Sequence, residues 1–214
     1  MIKRHKTSVI ITCLLTLAPL FAGLVLWNRL PERIATHFGM DGTPNGWSGK
    51  LFAVFGLPVF LLFIQLICVF VTSADPKGKN ISDKAYQAIL WIVPASSLIC
   101  GYSIYSHALG LSKYFGIEKG IFLFMGILLL IVGNYLPKSG PNYTIGIKLP
   151  WTLADEENWR KTHQLSGKLF VLGGIVCIIN IFLQWHWLLW GIMIPLLLIP
   201  CIYSFCLYLK KREK

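Results

Sequence analysis

Apolar runs separated by short polar segments dominate the chain. Residues 8–27, 51–72, 86–109 and 187–209 contain no Asp, Glu, Lys or Arg. Each reaches the roughly 20 residues that a helix needs to cross a bilayer core. Residues 121–136 and 169–184 are shorter, and the second of these extends by taking in Gly167 and Lys168, whose amine can snorkel to the interface. The pattern therefore predicts six transmembrane helices. The first run is not followed by a small-residue cleavage site, so it reads as a retained helix and not a signal peptide. Pro19, Pro58, Pro94, Pro195 and Pro200 fall inside the runs. In a bilayer such prolines kink helices more often than they end them, because neighbouring helices satisfy the freed carbonyls.

Composition supports this reading. Hydrophobic residues make up 55% of the 214 and charged ones 14%, against roughly a quarter charged in a soluble domain. The net charge of +11 could suggest nucleic acid, but its distribution is topological. With the N-terminus in the cytoplasm, 15 of the 20 Lys and Arg fall on that side, in the N-terminal tail, 73–85, 137–168 and the C-terminal tail. Arg29, Arg33, Lys50, Lys113 and Lys119 fall on the other. This is the positive-inside bias. It predicts an all-α integral membrane protein with six helices, both termini cytoplasmic, and no direct nucleic-acid binding. The six cysteines all lie in the runs and form no C-x-x-C pair, which predicts packing thiols without a structural disulfide.

Two connections are longer than turns need, and three parts result: a first helix pair over 1–72 with the outer loop 28–50, a central pair over 73–136, and 137–214 with a long inner loop. Residues 73–85 read as a polar, turn-rich link, and "QWHW" (184–187) as a tight hairpin. On the third helix Ser96, Cys100, Ser103, His107 and Gly110 recur at helical spacing. That stripe is either a close helix–helix seam or the wall of a polar cavity.

The inner loop carries the densest chemistry. Gly146, Pro141 and Pro150 make 142–150 an ordered loop. Thr152 with Asp155 approaches a capping box, which starts a helix near Leu153 that runs on into the fifth span. Glu156–Arg160 and Glu157–Lys161 have pairing spacing. On a helical wheel Glu156, Glu157, Arg160, Lys161, Gln164 and Lys168 share one arc, expected to face water and headgroups. Asn158, Trp159, Thr162 and Ser166 lie opposite, with His163 at the edge of that arc. Two readings stay open: an interfacial anchor with a satisfied histidine, or a cytoplasm-facing pocket lined by Trp151, Trp159 and His163.

The segment "NYTIGIKLPWTLADEENWRKTHQLSGK" resembles the signature of the SdpI family, N-x-x-I-G-I-R-T-P-W-T-L-x-x-x-x-x-W-x-x-T-H-x-x-x-G. Asn142, Ile145, Gly146, Ile147, Pro150, Trp151, Thr152, Leu153, Trp159, Thr162, His163 and Gly167 match. Lys148 replaces the usual Arg, keeping the charge but losing the bidentate fork, and Leu149 replaces the usual Thr. In the outer loop, Leu30, Pro31, Ile34, His37, Phe38, Gly42, Trp47 and Lys50 resemble the uncharacterised domain that often precedes this signature. The resemblance implies a multi-pass protein of the bacterial cell membrane that confers immunity to a secreted toxin peptide. For some members it also implies signalling through a cytoplasmic ArsR-like repressor. It places binding on Asn142, Gly146, Lys148, Pro150, Trp151, Thr152, Trp159, Thr162, His163 and Gly167 inside, and on Pro31, His37, Phe38, Gly42, Trp47 and Lys50 outside.

Read from the residues alone, Arg33–Phe38 is an extended piece. Asp41-Gly42 and Asn45-Gly46 are both turn dipeptides. They cannot both close one hairpin, so the loop is expected to be a compact cap and not a regular ribbon, with Trp47 and Phe52 at headgroup level. His37 and Asp41 are too few for a metal site, and no cofactor is expected. A small transporter or channel is the competing class, weakened by the lack of acidic residues in the spans. Catalysis by Asp155, His163 and Ser166 is disfavoured, because all three lie within one helical stretch with no hydrolase motif.

Overall fold

The computed structural model describes residues 2, 4–39, 41–111 and 117–213, with side chains in the last range from residue 119. Lys3, Lys113 and Lys214, counted above among the topological charges, lie outside the described residues. Among the described residues, six helical stretches are long and apolar enough to cross a membrane: Lys6–Val25, Phe52–Ser73, Asp83–Ala108, Lys119–Lys138, Glu156–Leu183 and Leu188–Arg212. The protein is a multi-pass membrane protein. By contact density the chain forms two compact units, residues 1–70 with 89–121, and residues 71–88 with 122–214.

In the first unit the opening span is two segments, α1 (Lys6–Thr16) and α2 (Ala18–Val25). Pro19 sits in the first turn of α2, where its missing N–H costs nothing. The turn tightens there: the Leu20 N–H bonds the Leu17 carbonyl at 3.0 Å. The Thr16 carbonyl, released from its helical partner, accepts from Ser97 Oγ at 2.7 Å. A neighbouring helix thus satisfies a freed carbonyl where no water can.

Ser97 lies on α4 (Asp83–Ala108), as do Gly101 and Tyr105. A Cβ at Gly101 would come within 2.5 Å of Pro19, and the Tyr105 hydroxyl donates to the Pro19 carbonyl at 2.9 Å. The packed face of α4 is therefore Ser97–Gly101–Ile104–Tyr105, one residue out of register from the expected stripe. Of that stripe, Cys100 and Gly110 are exposed. A seam does form. Its register follows Pro19 and the tyrosine hydroxyl, which a search for small residues passes over. Deeper in the unit, fully buried Gln65, on α3 (Leu57–Ser73), donates to Thr12 Oγ1 and to the Leu90 carbonyl, both at 3.1 Å.

The loop after the first span is a correction. It is a two-stranded antiparallel ribbon, β1 (Arg33–Phe38) with β2 (Pro44–Gly49). The two turn dipeptides do not compete. Gly42, at φ +73°, belongs to the connection, whereas Gly46 lies within β2 opposite His37, where the register shifts. A Cβ at Gly46 would sit 2.9 Å from that of His37, so the glycine lets the strands stay paired through the bulge. Ile34 and Ala35 are buried, and Ile34 joins Leu30, Ala53, Val54, Ile104 and Tyr105 in one apolar core.

The second unit contains α5 (Ile117–Tyr135) from Phe122 onward, α6 (Pro150–Ala154), α7 (Glu156–Leu183) and α8 (Leu188–Arg212). Helices α5 and α7 approach through two glycine pairs seven residues apart. A Cβ on Gly133 would meet the Gly167 carbonyl at 2.8 Å, and one on Gly174 would meet the Gly126 carbonyl at 2.7 Å. Small residues let the backbones touch. At the far end of α7, Gln184 takes φ +54°. The Asn180 amide bonds both the N–H and the carbonyl of Trp185, at 3.1 and 3.2 Å, closing the expected hairpin into α8.

Two glycines should respond oppositely to added bulk. Gly133→Val is expected to destabilise the protein in micelles by about 1–3 kcal/mol, because backbone and not a flexible side chain blocks the space. At Gly191 nothing lies within 4 Å of an added Cβ, so Gly191→Ala should be neutral or stabilising by at most about 1 kcal/mol. Thermal unfolding of the two purified variants measures the contrast.

Candidate functional site

The signature residues close a knot between two polar loops and α7. Asn142 is fully buried. Its Oδ1 accepts from the N–H groups of Thr144 at 2.9 Å and Ile145 at 2.6 Å, and its Nδ2 donates to the Gly140 carbonyl at 2.8 Å. The short asparagine side chain thus satisfies main-chain groups that the turn cannot pair internally. The next residues reach α7. Ile147 N–H donates to His163 Nε2 at 2.9 Å, and His163 Nδ1 bonds the Trp159 carbonyl at 2.7 Å. Because Nε2 accepts, the proton lies on Nδ1, and the imidazole is neutral. Its ring stacks on Trp159 with centroids 3.9 Å apart. Gly146, at φ +122°, lies over that stack, and a Cβ there would overlap His163 Nε2 and come within 2.9 Å of the Trp159 ring. Both the backbone conformation and the space require glycine. Trp159 Nε1 donates to the Ser139 carbonyl at 2.8 Å, so both rings are buried with their polar atoms paired.

Trp151 lies apart from this stack. It packs on Tyr208 and Phe205 of α8, with ring centroids 5.6 and 5.4 Å away, and its Nε1 donates to Ser204 Oγ at 3.1 Å. Trp151 thus packs against α8, whereas Trp159 and His163 pack on each other. Asn158 and Thr162 form a second tie to α8: Asn158 Nδ2 donates to the Ser204 carbonyl at 2.9 Å, and its Oδ1 accepts from Thr162 at 3.0 Å. Lys148 Nζ donates to the carbonyls of Tyr143 and Thr144 at 3.0 and 3.2 Å, so its charge closes the loop from outside. Gly167 belongs to the glycine seam, where Pro137 and the Gly133 carbonyl press on it. Pro150 is exposed at the start of α6.

The expected helix start moves. Thr152 is not the cap of a helix continuous with the fifth span. It lies in α6, and its Oγ1 accepts from Leu149 N–H at 2.9 Å. Asp155 is the N-cap of α7, its carboxylate accepting from Glu157 and Asn158 N–H. A pattern of oxygen-bearing side chains cannot choose between two adjacent caps; the packing of Trp151 on α8 separates them. The wheel itself is matched: Glu156, Glu157, Arg160, Gln164 and Lys168 are exposed, and Asn158, Trp159, Thr162, His163 and Ser166 buried. Glu157 and Lys161 pair at 2.8 Å.

Sequence reasoning missed three residues. Asp75 Oδ2 accepts from Tyr143 N–H and Thr144 Oγ1, both at 2.8 Å. Asn80 donates to the Pro141 carbonyl at 2.7 Å. Ser204 receives both Trp151 and Asn158. The Asp75-Pro76 step signalled a turn, but nothing local signalled a partner some seventy residues away.

On the ribbon, exposed His37 bonds Asn45 through Nδ1, and Phe38 meets His107 edge-on with centroids 5.3 Å apart. Lys50 is buried between Glu32, at 3.4 Å, and the face of Trp27, at 4.6 Å. Pro31 is exposed, Gly42 makes the turn, and Trp47 is 54% exposed.

Together, the spans, the ribbon and the closed polar knot define a multi-pass membrane protein whose long connections are themselves folded. The SdpI/YfhL protein family model matches residues 138–204, and the DUF1648 model, a domain of unknown function, matches 14–62. The chain is similar to "Immunity protein SdpI" of Bacillus subtilis (strain 168), with 28% identity over 204 residues, covering 94% of this chain and 92% of that one. No solved structure matches. The chain is thus similar to the SdpI/YfhL family over residues 138–204 and to the DUF1648 domain over 14–62.

Removing the imidazole should open the loop without melting the bundle. His163→Leu is expected to leave the Ile147 N–H unpaired at a cost of about 1–3 kcal/mol. Faster hydrogen exchange at Ile147 and new tryptic cleavage after Lys148 would report it, with Trp151→Phe leaving both unchanged. Acid should act at Asp155. The Lys211 ammonium, 2.9 Å away, holds its carboxyl below the usual range, helped by the Asn158 and Glu157 N–H groups. That stabilisation is present above the unfolded carboxylate value of about 4 and is lost as pH falls through the lower folded value. The site is solvent-screened, so it amounts to at most about 1 kcal/mol. Asp155→Asn should flatten the pH dependence of unfolding below about pH 4.

Proposed function

We propose that the protein confers immunity to a secreted, membrane-active antimicrobial peptide. The observation that carries this reading is the similarity to an immunity protein over 94% of the chain, reinforced by signature residues that build one closed knot. In this reading the N- and C-termini are cytoplasmic, as the distribution of Lys and Arg favours. The ribbon then meets the peptide outside, presenting Pro31, His37 and Trp47 on a frame made by Phe38, Gly42 and Lys50. Inside, Asn142, Gly146, Thr152, Trp159, Thr162, His163 and Gly167 hold a shape, while Lys148, Pro150 and Trp151 border its surface. A cytoplasmic ArsR-like repressor is the proposed partner of that surface. Peptide must then favour one of two conformations of the protein, since equal affinity for both shifts nothing. The reading assigns no catalytic step. A small transporter or channel is the less favoured alternative, because the apolar runs of the spans carry no Asp or Glu.

Expression in a peptide-sensitive strain tests the proposal. Wild-type protein should raise survival. Gly146→Ala and His163→Leu should abolish protection at equal membrane abundance, and Trp47→Ala should weaken it. Unchanged killing by a panel of membrane-active peptides would sink the immunity reading. In a cysteine-free background, an impermeant thiol reagent applied to intact cells should label Thr43→Cys and spare Glu156→Cys; the reverse pattern would invert the topology.

A further inference from the structure

A groove of about 740 Å³ runs beside the glycine seam of the second unit. Its upper rim is polar and basic: Lys138 and Asn134 from the end of α5 and the turn after it, and Gln164 and Lys168 from α7. Its lower wall is apolar, formed by Val171, Leu172 and Ile175. Gln164, Lys168, Val171, Leu172 and Ile175 share one face of α7 at helical spacing. From Lys168 to Ile175 the wall descends by seven residues, roughly 10 Å at 1.5 Å each. The floor is low because Gly133 and Gly167 carry no side chains there.

Leu172 and Ile175 are 59% and 45% exposed. Both lie within a membrane span, so the medium that covers them is hydrocarbon and not water. The rim lies at the end of the span Lys119–Lys138 and, on α7, just before the uncharged apolar run 169–184, where headgroups meet hydrocarbon. Lys138 Nζ is held by Asn134 Oδ1 at 2.8 Å and rests over the Tyr135 ring at 5.3 Å. Neither of these partners is an anion; Glu156 and Glu157 border the adjoining hollow on its other side, and Glu157 is paired with Lys161. Lys168 is exposed on the opposite rim. Two cations thus face one opening above an apolar channel, with amide side chains between them. We infer that this groove is a binding site for one anionic phospholipid. The two lysines take its phosphate, Asn134 and Gln164 take the headgroup hydroxyls or ester oxygens, and an acyl chain lies along Val171, Leu172 and Ile175. Basic recesses between transmembrane helices bind anionic headgroups by this complementarity. The seam explains why the recess exists: larger residues at 133 and 167 would hold the helices apart and fill the floor.

The site does not depend on the immunity reading, and its test does not use peptide killing. Purified protein in neutral detergent, supplied with phosphatidylglycerol or phosphatidylcholine, would be followed by native mass spectrometry. One phosphatidylglycerol per chain should remain bound at concentrations where phosphatidylcholine does not. Each lysine removed should weaken that binding about fivefold, and Lys138→Gln with Lys168→Gln about 25-fold. The double Arg variant should retain it. Lys79→Gln with Lys84→Gln removes the same charge elsewhere and should change binding less than twofold. Equal retention of phosphatidylcholine, an equal loss in the Lys79/Lys84 control, or displacement by free glycerol phosphate at matched concentration would each overturn the assignment. The last result would mean a site for soluble phosphate.

Discussion

The imidazole of His163 is bonded at both nitrogens, to a carbonyl of its own helix and to an N–H of a loop sixteen residues earlier. That geometry demands one tautomer and no charge, since a proton on Nε2 would set two N–H groups against each other. Everything around the ring follows from this demand. Gly146 has to lack a side chain so that the loop can lie on the Trp159–His163 stack. Ile147 has to present its N–H, and Asn142 has to pair the loop's remaining main-chain groups. The reach of the loop is then limited, so Lys148 closes on its carbonyls, and Thr152 takes the Leu149 N–H at the start of the short helix that carries Trp151 to α8. A neutral histidine here works as a strut between loop and helix.

The same requirement, that polar backbone be paired wherever water is absent, shapes the first unit. A kinked span releases a carbonyl, and a serine on a neighbouring helix takes it. Tyr105 and Gln65 make comparable bonds at other depths. These ties join helices that would otherwise share only apolar surface with lipid, where the hydrophobic effect offers no preference for helix over acyl chain. Glycines serve the complementary purpose in the second unit. They bring α5 and α7 to backbone contact, and by doing so leave a recess along the outside of the seam.

Folded connections distinguish this chain from a bare bundle. The ribbon is anchored through Ile34 in an apolar core, so it can hold Trp47 outward without collapsing on the spans. The signature loop is anchored through Trp159 and stitched to the preceding link by Asp75 and Asn80. In both places buried residues hold the geometry while a few, such as Trp47 and Lys148, stay exposed. Matching a family motif by residue identity does not separate those two groups; burial does.

Much was legible in the chain itself. Six spans, their approximate limits, the hairpin at Gln184–Trp187 and the exposed and buried arcs of α7 follow from hydropathy and helical period, which are local properties. The stretch that resembles the SdpI signature is likewise continuous. Other features depended on partners distant in sequence. The ribbon forms because Gly46 is placed opposite His37, which no count of turn dipeptides reveals. The true start of α7 depends on Trp151 reaching α8, and the register of the α4 seam on where Pro19 bends the first span. Asp75 and Ser204 had no signal of their own. Periodicity reports which face of a helix is buried, but only three-dimensional packing decides what that face is buried against, because the energy that selects it comes from contacts between residues far apart along the chain.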